Sequence, residues 1–505
     1  MSSTPAAAPP PCTHELLDGM QYVADPLADA AVAQIVGTWQ SVAPDATIDV
    51  LRAAQQPQWQ RLAVATRLLA SLQTPPASGD AGTSLASRIG DDPSAPGVGD
   101  VLRAYVAQAE TLPDWADAKK IARAEKLFIE YGALSCVLLF CASLPECYVI
   151  PDLATVLNAS GQLEQRTDYR IRMTAAMIFP VMMRGGLAPL GAGIAQVIKV
   201  RLIHATIRNL ILHDSPQHAV ELLGAARNVE GAGVVPPSPA MCASSAMYET
   251  MFAHGWKLGE NQLPCNQEEL AYTLLTFGYV FLRSLRRLGI ALSAEDEEAF
   301  LHCWNVAGYV LGIVPELLPQ TMDQCKQTFA LMQERGRADK HEPDPRPLLG
   351  RALVATMAQP IPFAVCKPFP ALMVRYLCGP LTAGNVGIDG PVKVASGLLF
   401  TLLMFIIRGI DSLVRLFVPD FSISRFMTRV LGYRFVTRVL MDQTRPLALP
   451  QALLTSVNTM MDAWSTDPKA PDWMNRIEDR LTTPGSWRSA GAAPQPPAAP
   501  QPGSD

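Results

Sequence analysis

The stretch from Ile194 to Leu212, IAQVIKVRLIHATIRNLIL, most narrows what this chain can fold into. Its apolar residues recur at three- and four-residue spacing, the period of an α-helix, and most of the helix is Ile, Val, Leu and Ala. Such a helix belongs inside a protein. The polar groups that interrupt it, chiefly Arg201, His204 and Arg208, then need partners, because an unpaired imidazole is costly to bury.

The rest of the chain reads similarly. Ala116–Phe140 repeats apolar residues at helical spacing, and Leu51–Leu69 reads as a further helix. Gln267–Leu288 begins acidic and ends basic, as the helix dipole favours, and stops at Gly289. Asn266 is its N-cap, with Glu269 at the capping-box position. A second start at Ser293, with Asp296 in the equivalent place, leads through Glu298–Leu311 to a turn bracketed by Pro315 and Pro319. No alternating β pattern, glycine-rich phosphate loop or strand–helix repeat interrupts this, so the expected class is all-α.

Composition sets outer limits. The 505 residues are 49% hydrophobic and 17% charged, with mean hydropathy +0.15, enough for one large core or two domains. The net charge of -5, from 41 basic and 46 acidic residues, excludes a nucleic-acid footprint. Seven histidines exclude a histidine-rich multi-metal protein. The ten cysteines form no CxxC pair and are expected as buried small hydrophobes in a reducing compartment. The N-terminus lacks a basic region followed by an apolar core, so no export signal is expected and the location is read as cytoplasmic. The longest apolar run, Val394 to Ile407, ends at Arg408, short for a membrane span. A buried helix is the favoured reading there, with a membrane-surface or re-entrant element as the alternative.

The order along the chain is expected as a disordered Pro/Ala-rich tail over 1–15, N-terminal helices and a Gly/Ser/Pro-rich linker over 16–99, and a core over 100–385. A C-terminal helical extension that could contact a membrane follows over 386–480, then a disordered tail over 481–505.

Two segments carry the chemistry. In DYRIRMTAAM, Arg170, Met173, Thr174 and Met177 fall at i, i+3, i+4 and i+7 and form one stripe. The stripe is either an amphipathic face with an exposed arginine or the wall of a ligand site. In the second case Arg170 donates to a negatively polarised oxygen, Thr174 offers a hydroxyl and the methionines shape an apolar channel. His204, with Arg201 at i−3 and Arg208 at i+4, is either a core histidine bonded to a carbonyl or a metal ligand beside two cations. Haem suits the latter: an axial imidazole for iron, and guanidinium groups for the propionates. A non-haem iron or zinc site would need two or three further ligands. His213 and His218 lie past the helix end, around Pro216, without HExxH spacing. Gly185, Gly186, Gly191 and Gly193 loosen the connection between the two helices and would let backbone approach a flat cofactor. The polar residues between Trp256 and Glu269 read as structural, and Trp304 and Glu316 as packing and support. Gly-x-Ser-x-Gly is absent, which disfavours a nucleophile elbow.

From about Pro113 to Gly379 the chain resembles the family of bacterial latex-clearing protein, a rubber oxygenase, and the fungal membrane-bound oxygenase of mycophenolic acid biosynthesis. The residues that carry the likeness are the Arg170-x-x-x-Thr174 element, His204 within RLIHATIR, CNQEELAYTLLTFGYVFLRSLRRLG through WNVAGYVLGI, and GRALVATMAQPIPFAVCKPFPALMVRYLCG. The resemblance implies a globin-like helical core holding haem b, with His204 as proximal iron ligand and Arg170 and Thr174 on the distal side. It also implies cleavage of carbon–carbon double bonds in isoprenoid chains by dioxygen. Met173 departs from the pattern, standing where latex-clearing protein has a lysine able to cap the distal side in a closed resting state. Without an export signal, a smaller hydrophobic alkene such as a terpenoid or unsaturated lipid is the expected substrate rather than polymer.

The expectation is therefore a haem-dependent oxygenase of dioxygenase stoichiometry, since no nicotinamide or flavin site is visible, with an external electron donor able to prime the iron. The alternative is a non-enzymatic haem- or lipid-binding helical protein at the membrane periphery. It rests on Val394–Ile407 and the following segment, where Arg408, Arg415, Arg425, Arg429, Arg434 and Arg438 interrupt apolar residues.

Overall fold

The computed structural model describes residues 12–43, 46–72, 84–159, 167–225, 233–238, 247–290, 292–338, 343–359, 361 and 363–415. Expectations for residues 1–11, for 73–83 within the linker, for the C-terminal tail and for Arg425, Arg429, Arg434 and Arg438 lie outside these residues, while His14 and Glu15, expected in the N-terminal tail, begin α1.

The N-terminal helices are α1 (His14–Met20), α2 (Pro26–Val36), α3 (Ile48–Ala54), α4 (Gln56–Ser71) and α5 (Val98–Ala109). Asp25 caps α2 by accepting from the Ala28 amide, and Pro26 follows in the first turn, where a missing N–H costs nothing. The single helix expected over Leu51–Leu69 is two, α3 and α4, meeting at Gln55. Pro57 is the reason: without an N–H it belongs in the first turn of a helix rather than its interior.

The middle of the chain forms α6 (Ala118–Leu138), α7 (Leu144–Cys147), α8 (Pro151–Ala159), α9 (Thr167–Met182), α10 (Ala192–Leu212) and α11 (Pro216–Ala225). A buried π-helical segment, Leu139–Ser143, joins α6 to α7. Next come α12 (Met247–Ala253), α13 (Leu258–Asn261), α14 (Gln267–Phe277), α15 (Tyr279–Arg287), α16 (Ala294–Val310) and α17 (Met322–Ala338). The chain continues through α18 (Arg346–Ala358), α19 (Phe369–Cys378), α20 (Pro380–Asn385) and α21 (Val394–Arg415). The β structure among the described residues is one short antiparallel pair, β1 (Val234–Val235) with β2 (Trp256–Lys257). The all-α expectation is borne out.

The Asn266 capping box forms in full, and at Ser293 only its side-chain half does. Asn266 accepts from the Glu269 amide at 3.0 Å while Glu269 accepts from the Asn266 amide at 3.3 Å, and Ser293 accepts from the Asp296 amide at 3.1 Å. The helix expected over Gln267–Leu288 breaks at Gly278 into α14 and α15. Gly278 lies against Trp304 of α16, where an added Cβ would be 3.5 Å from the tryptophan Cβ, and Phe277 stacks on the same indole. The break fits two short helices around one large side chain.

The core is continuous. α10 packs against α2, α9 and α12, α6 lies along α16, and α19 covers the π-helical segment. Val394–Ile407 is not the buried helix favoured from its composition. α21 buries Ser396, Phe400 and Met404 on one side and exposes Val394, Leu398, Leu402 and Phe405 on the other. Among the described residues no single helix is long and apolar enough to cross a membrane; Ala118–Tyr131 and Leu134–Cys147 reach that length together only across a 91° bend.

Candidate functional site

α10 is buried toward both ends, at Gly193–Ile198 and Ala205–Leu212, but its middle is not. Lys199, Val200, Arg201, Ile203 and His204 are all partly exposed. A helix made mostly of Ile, Val and Leu has no reason of its own to open in its centre, so neighbouring elements leave space there. One part of that space is a cleft lined by Val32, Leu62, Lys199, Ile203, Thr206 and Tyr248. His204 projects roughly 140° around the helix from the Lys199–Ile203–Thr206 face, so it addresses a different side.

The Nδ1 atom of His204 is buried and has no hydrogen-bond partner among the described residues. Burial, reinforced by the positive charge of Arg208 and opposed by Asp25, lowers its pKa to about 4. The imidazole is therefore neutral at neutral pH, the form in which histidine ligates a metal. A buried polar nitrogen without a partner marks a place where something else could supply one.

Arg201 and Arg208 are both held in ion pairs, although the buried Nη2 of Arg208 has no hydrogen-bond partner among the described residues. Arg201 donates from Nε and Nη2 to the two Asp25 oxygens at 2.5 and 2.8 Å, and from Nη1 to the Val310 carbonyl at 3.1 Å. Arg208, fully buried, donates to Asp29 at 2.8 Å and to the Cys265 carbonyl at 2.8 Å. Asp25 and Asp29 sit one turn apart at the start of α2, so the two arginines clamp α2 onto α10. Burial raises the Asp29 pKa, and the Arg208 charge and hydrogen bond work against that rise. Neither aspartate was legible as a partner in the sequence, because nothing local links residues so far apart.

On α9 the core-facing residues are Ile171, Arg172, Ala175, Ile178, Phe179 and Met182. Met173, Thr174 and Met177 lie on the other, partly exposed side. Arg170 shares that stripe by position, and its side chain is outside the described residues. Arg172, which belongs to the same DYRIRMTAAM segment but to which the sequence assigns no role, is completely buried. Its signal was available only as a charge falling on the apolar face of the helix.

Three of the four glycines of the α9–α10 connection, Gly186, Gly191 and Gly193, are points of close backbone-to-backbone approach. A Cβ on Gly193 would sit 2.6 Å from the Gly186 carbonyl oxygen and 2.8 Å from that of Pro180. Gly186 accepts from the Ile194 amide at 3.1 Å, and Glu125 accepts from the Gly185 amide at 3.0 Å. The end of α9 and the start of α10 are thus held at a fixed separation, which sets how the Met173–Met177 stripe lies relative to His204.

His213 and His218 are engaged elsewhere. His213 stacks on Phe252 at 3.8 Å and donates from Nε2 to its carbonyl at 2.7 Å, while His218 pairs with Asp214 at 2.5 Å. Among the described residues no group of three His, Cys, Asp or Glu side chains could hold a metal ion. Trp304 is a core side chain and Glu316 is exposed.

Residues 248–409 match the family model described as ER-bound oxygenase mpaB/B'/Rubber oxygenase, catalytic domain. A rubber oxygenase from Streptomyces sp. (strain K30) is 24% identical over 233 residues, which are 45% of this chain and 48% of that protein. The match thus spans about half the length of the curated relative. Latex clearing protein LCP, solved in the closed state, superposes with a TM-score of 0.50 at 19% identity, covering 88% of this chain and 91% of that one. That superposition shows a shared helical fold. The resemblance read from the sequence is borne out, although the family-model segment begins after both α9 and α10.

Proposed function

We propose that this protein is a haem-dependent oxygenase that acts on carbon–carbon double bonds of a hydrophobic, isoprenoid or unsaturated lipid-like substrate with dioxygen, by oxidative cleavage. The observation that carries the reading is His204: a neutral imidazole with an unpartnered buried nitrogen, at the one opened stretch of an otherwise buried helix. The oxygenase family match and the rubber oxygenase relative supply the reaction class.

These residues would fit haem better than a metal bound by protein ligands alone, because a single histidine, His204, would be enough to hold haem iron and no group of three His, Cys, Asp or Glu side chains is gathered among the described residues. Haem b, when bound, would supply dioxygen activation. His204 would hold it without first losing a proton. Arg170 and Thr174, on the neighbouring α9, would place donors toward negative charge developing on oxygen. Met173 and Met177 would give the alkene an apolar, water-poor wall. Arg201 and Arg208 would act indirectly, by fixing α10 against α2.

The test is a pyridine haemochrome assay on protein from haem-supplemented cells, wild type beside His204→Ala. About one b-type haem per chain, lost in the variant, is the expected result. Full retention in the variant removes His204 from its role, and no haem in either protein overturns the proposal. Arg170→Ala is expected to keep haem yet slow alkene-coupled oxygen uptake.

A further inference from the structure

α21 has an inside-out distribution of side chains. Its buried side carries Ser396, Phe400 and Met404, and Phe400 meets Phe369 of α19 edge-on at 5.5 Å. Its outer side carries Val394, Leu398, Leu399, Leu402 and Phe405, at 76%, 66%, 38%, 54% and 74% exposure. Successive helical positions advance by about 100°, which puts all five on one broad arc, and residues 394–405 contain no charged side chain at all. An exposed helix of a protein that meets only water presents charge on that arc; an uninterrupted apolar one marks an interaction surface.

The loop before α19 extends the patch. Phe363 and Val365 in this loop are 66% and 38% exposed, and Phe369, which ends it, packs on Phe400 of the buried side of α21. Lys367 and Lys393 are exposed as well, Lys367 lying two residues after Val365 and Lys393 immediately before Val394. Between residues 361 and 405 the charged side chains are Lys367, Arg375 and Lys393 against Asp389, a local excess of cations in a chain of net charge -5.

We propose that this face of α21, with Phe363 and Val365, seats the protein on an anionic lipid surface: the apolar side chains enter the acyl boundary and Lys367 and Lys393 meet the headgroup phosphates. An apolar helical face bordered by lysines is the pattern of a helix lying in the plane of a bilayer interface. A second copy suits the patch less well, since two-fold pairing would bring the lysines of both copies together. The stretch of chain that follows directly, 416–440, suits it less well too, because it carries Arg425, Arg429, Arg434 and Arg438 against Asp420 alone and would face the same cations. Binding to lipid through this face does not depend on the haem reading.

The experiment is vesicle flotation of the full chain with phosphatidylcholine alone and with phosphatidylglycerol added, alongside analytical ultracentrifugation without lipid. Wild type is expected to float, more strongly with phosphatidylglycerol. Leu398→Glu/Leu402→Glu is expected to lower the partition coefficient by about tenfold or more with unchanged circular dichroism, because both side chains are already exposed. Lys367→Gln/Lys393→Gln is expected to remove the preference for phosphatidylglycerol. The proposal is overturned if wild type stays unbound to both vesicles, if the glutamate variant floats like wild type, or if wild type is a dimer that the glutamate pair dissociates without any lipid binding.

Discussion

Arg201 holds Asp25 through two nitrogens, at 2.5 and 2.8 Å, across 176 residues of sequence. With the aspartate 2% and the arginine 12% exposed at the side chain, this is a buried ion pair rather than a surface one. It gives α10 a fixed position against α2 close to His204, and makes the N-terminal helices part of what shapes the candidate site.

Removing one partner should therefore be far worse than removing both. Arg201→Met is expected to cost about 3–5 kcal/mol, because it strands a buried carboxylate. Asp25→Asn/Arg201→Met should recover a substantial part of that, with Asn still able to cap α2. Urea denaturation of the singles and the double decides it; equal costs in all three would remove the pair from its clamping role.

The depressed pKa of His204 fixes the direction of a pH effect. Its folded value, about 4, lies below the ordinary histidine value of 6.5, so between those pH values the unfolded chain binds more protons at this group. Stability from this group is full above 6.5, falls as pH drops from 6.5 toward 4, and changes no further below. In the haem-free protein, His204→Phe should show a shallower loss of stability over that window than wild type. An identical slope in both would contradict a buried neutral imidazole.

Gly193 is a point of backbone contact, so Gly193→Ala should destabilise by about 1–3 kcal/mol, the usual range for overpacking. If the α9–α10 separation shapes the pocket, haem content per folded chain should fall as well. Thermal unfolding with haemochrome titration separates the two effects, and a neutral substitution would show that the connection can relax.

Asn266→Ala removes the side-chain half of the α14 capping box and should cost about 0.5–2 kcal/mol. Asn266→Asp keeps the acceptor and should cost less, even beside Glu268 and Glu269. Chemical denaturation that ranks aspartate below alanine would show that charge repulsion outweighs the cap.

The amino-acid sequence by itself determined the helical class, the extent of α10 to within a few residues, the Asn266 capping box and the Ser293 N-cap. Those features depend on contacts within about one helical turn, where residue type and spacing are sufficient information. It also singled out His204, because a basic ring among Ile, Val and Leu is anomalous in any context. The tertiary structure alone decided the rest. The sequence placed Arg201 and Arg208 beside His204 correctly, yet their partners, Asp25 and Asp29, are 176 and 179 residues away. Gly186, Gly191 and Gly193 of the α9–α10 connection proved to be points where backbone meets backbone, which a loop composition does not disclose. Gly278 interrupts one long helical pattern at the point where Trp304 packs against it. The apolar run in α21 reads as buried because hydrophobicity is a property of residues, whereas exposure depends on what the remaining chain brings against them. Ion-pair choice, backbone proximity and exposure are long-range outcomes of packing, and no local spacing encodes them.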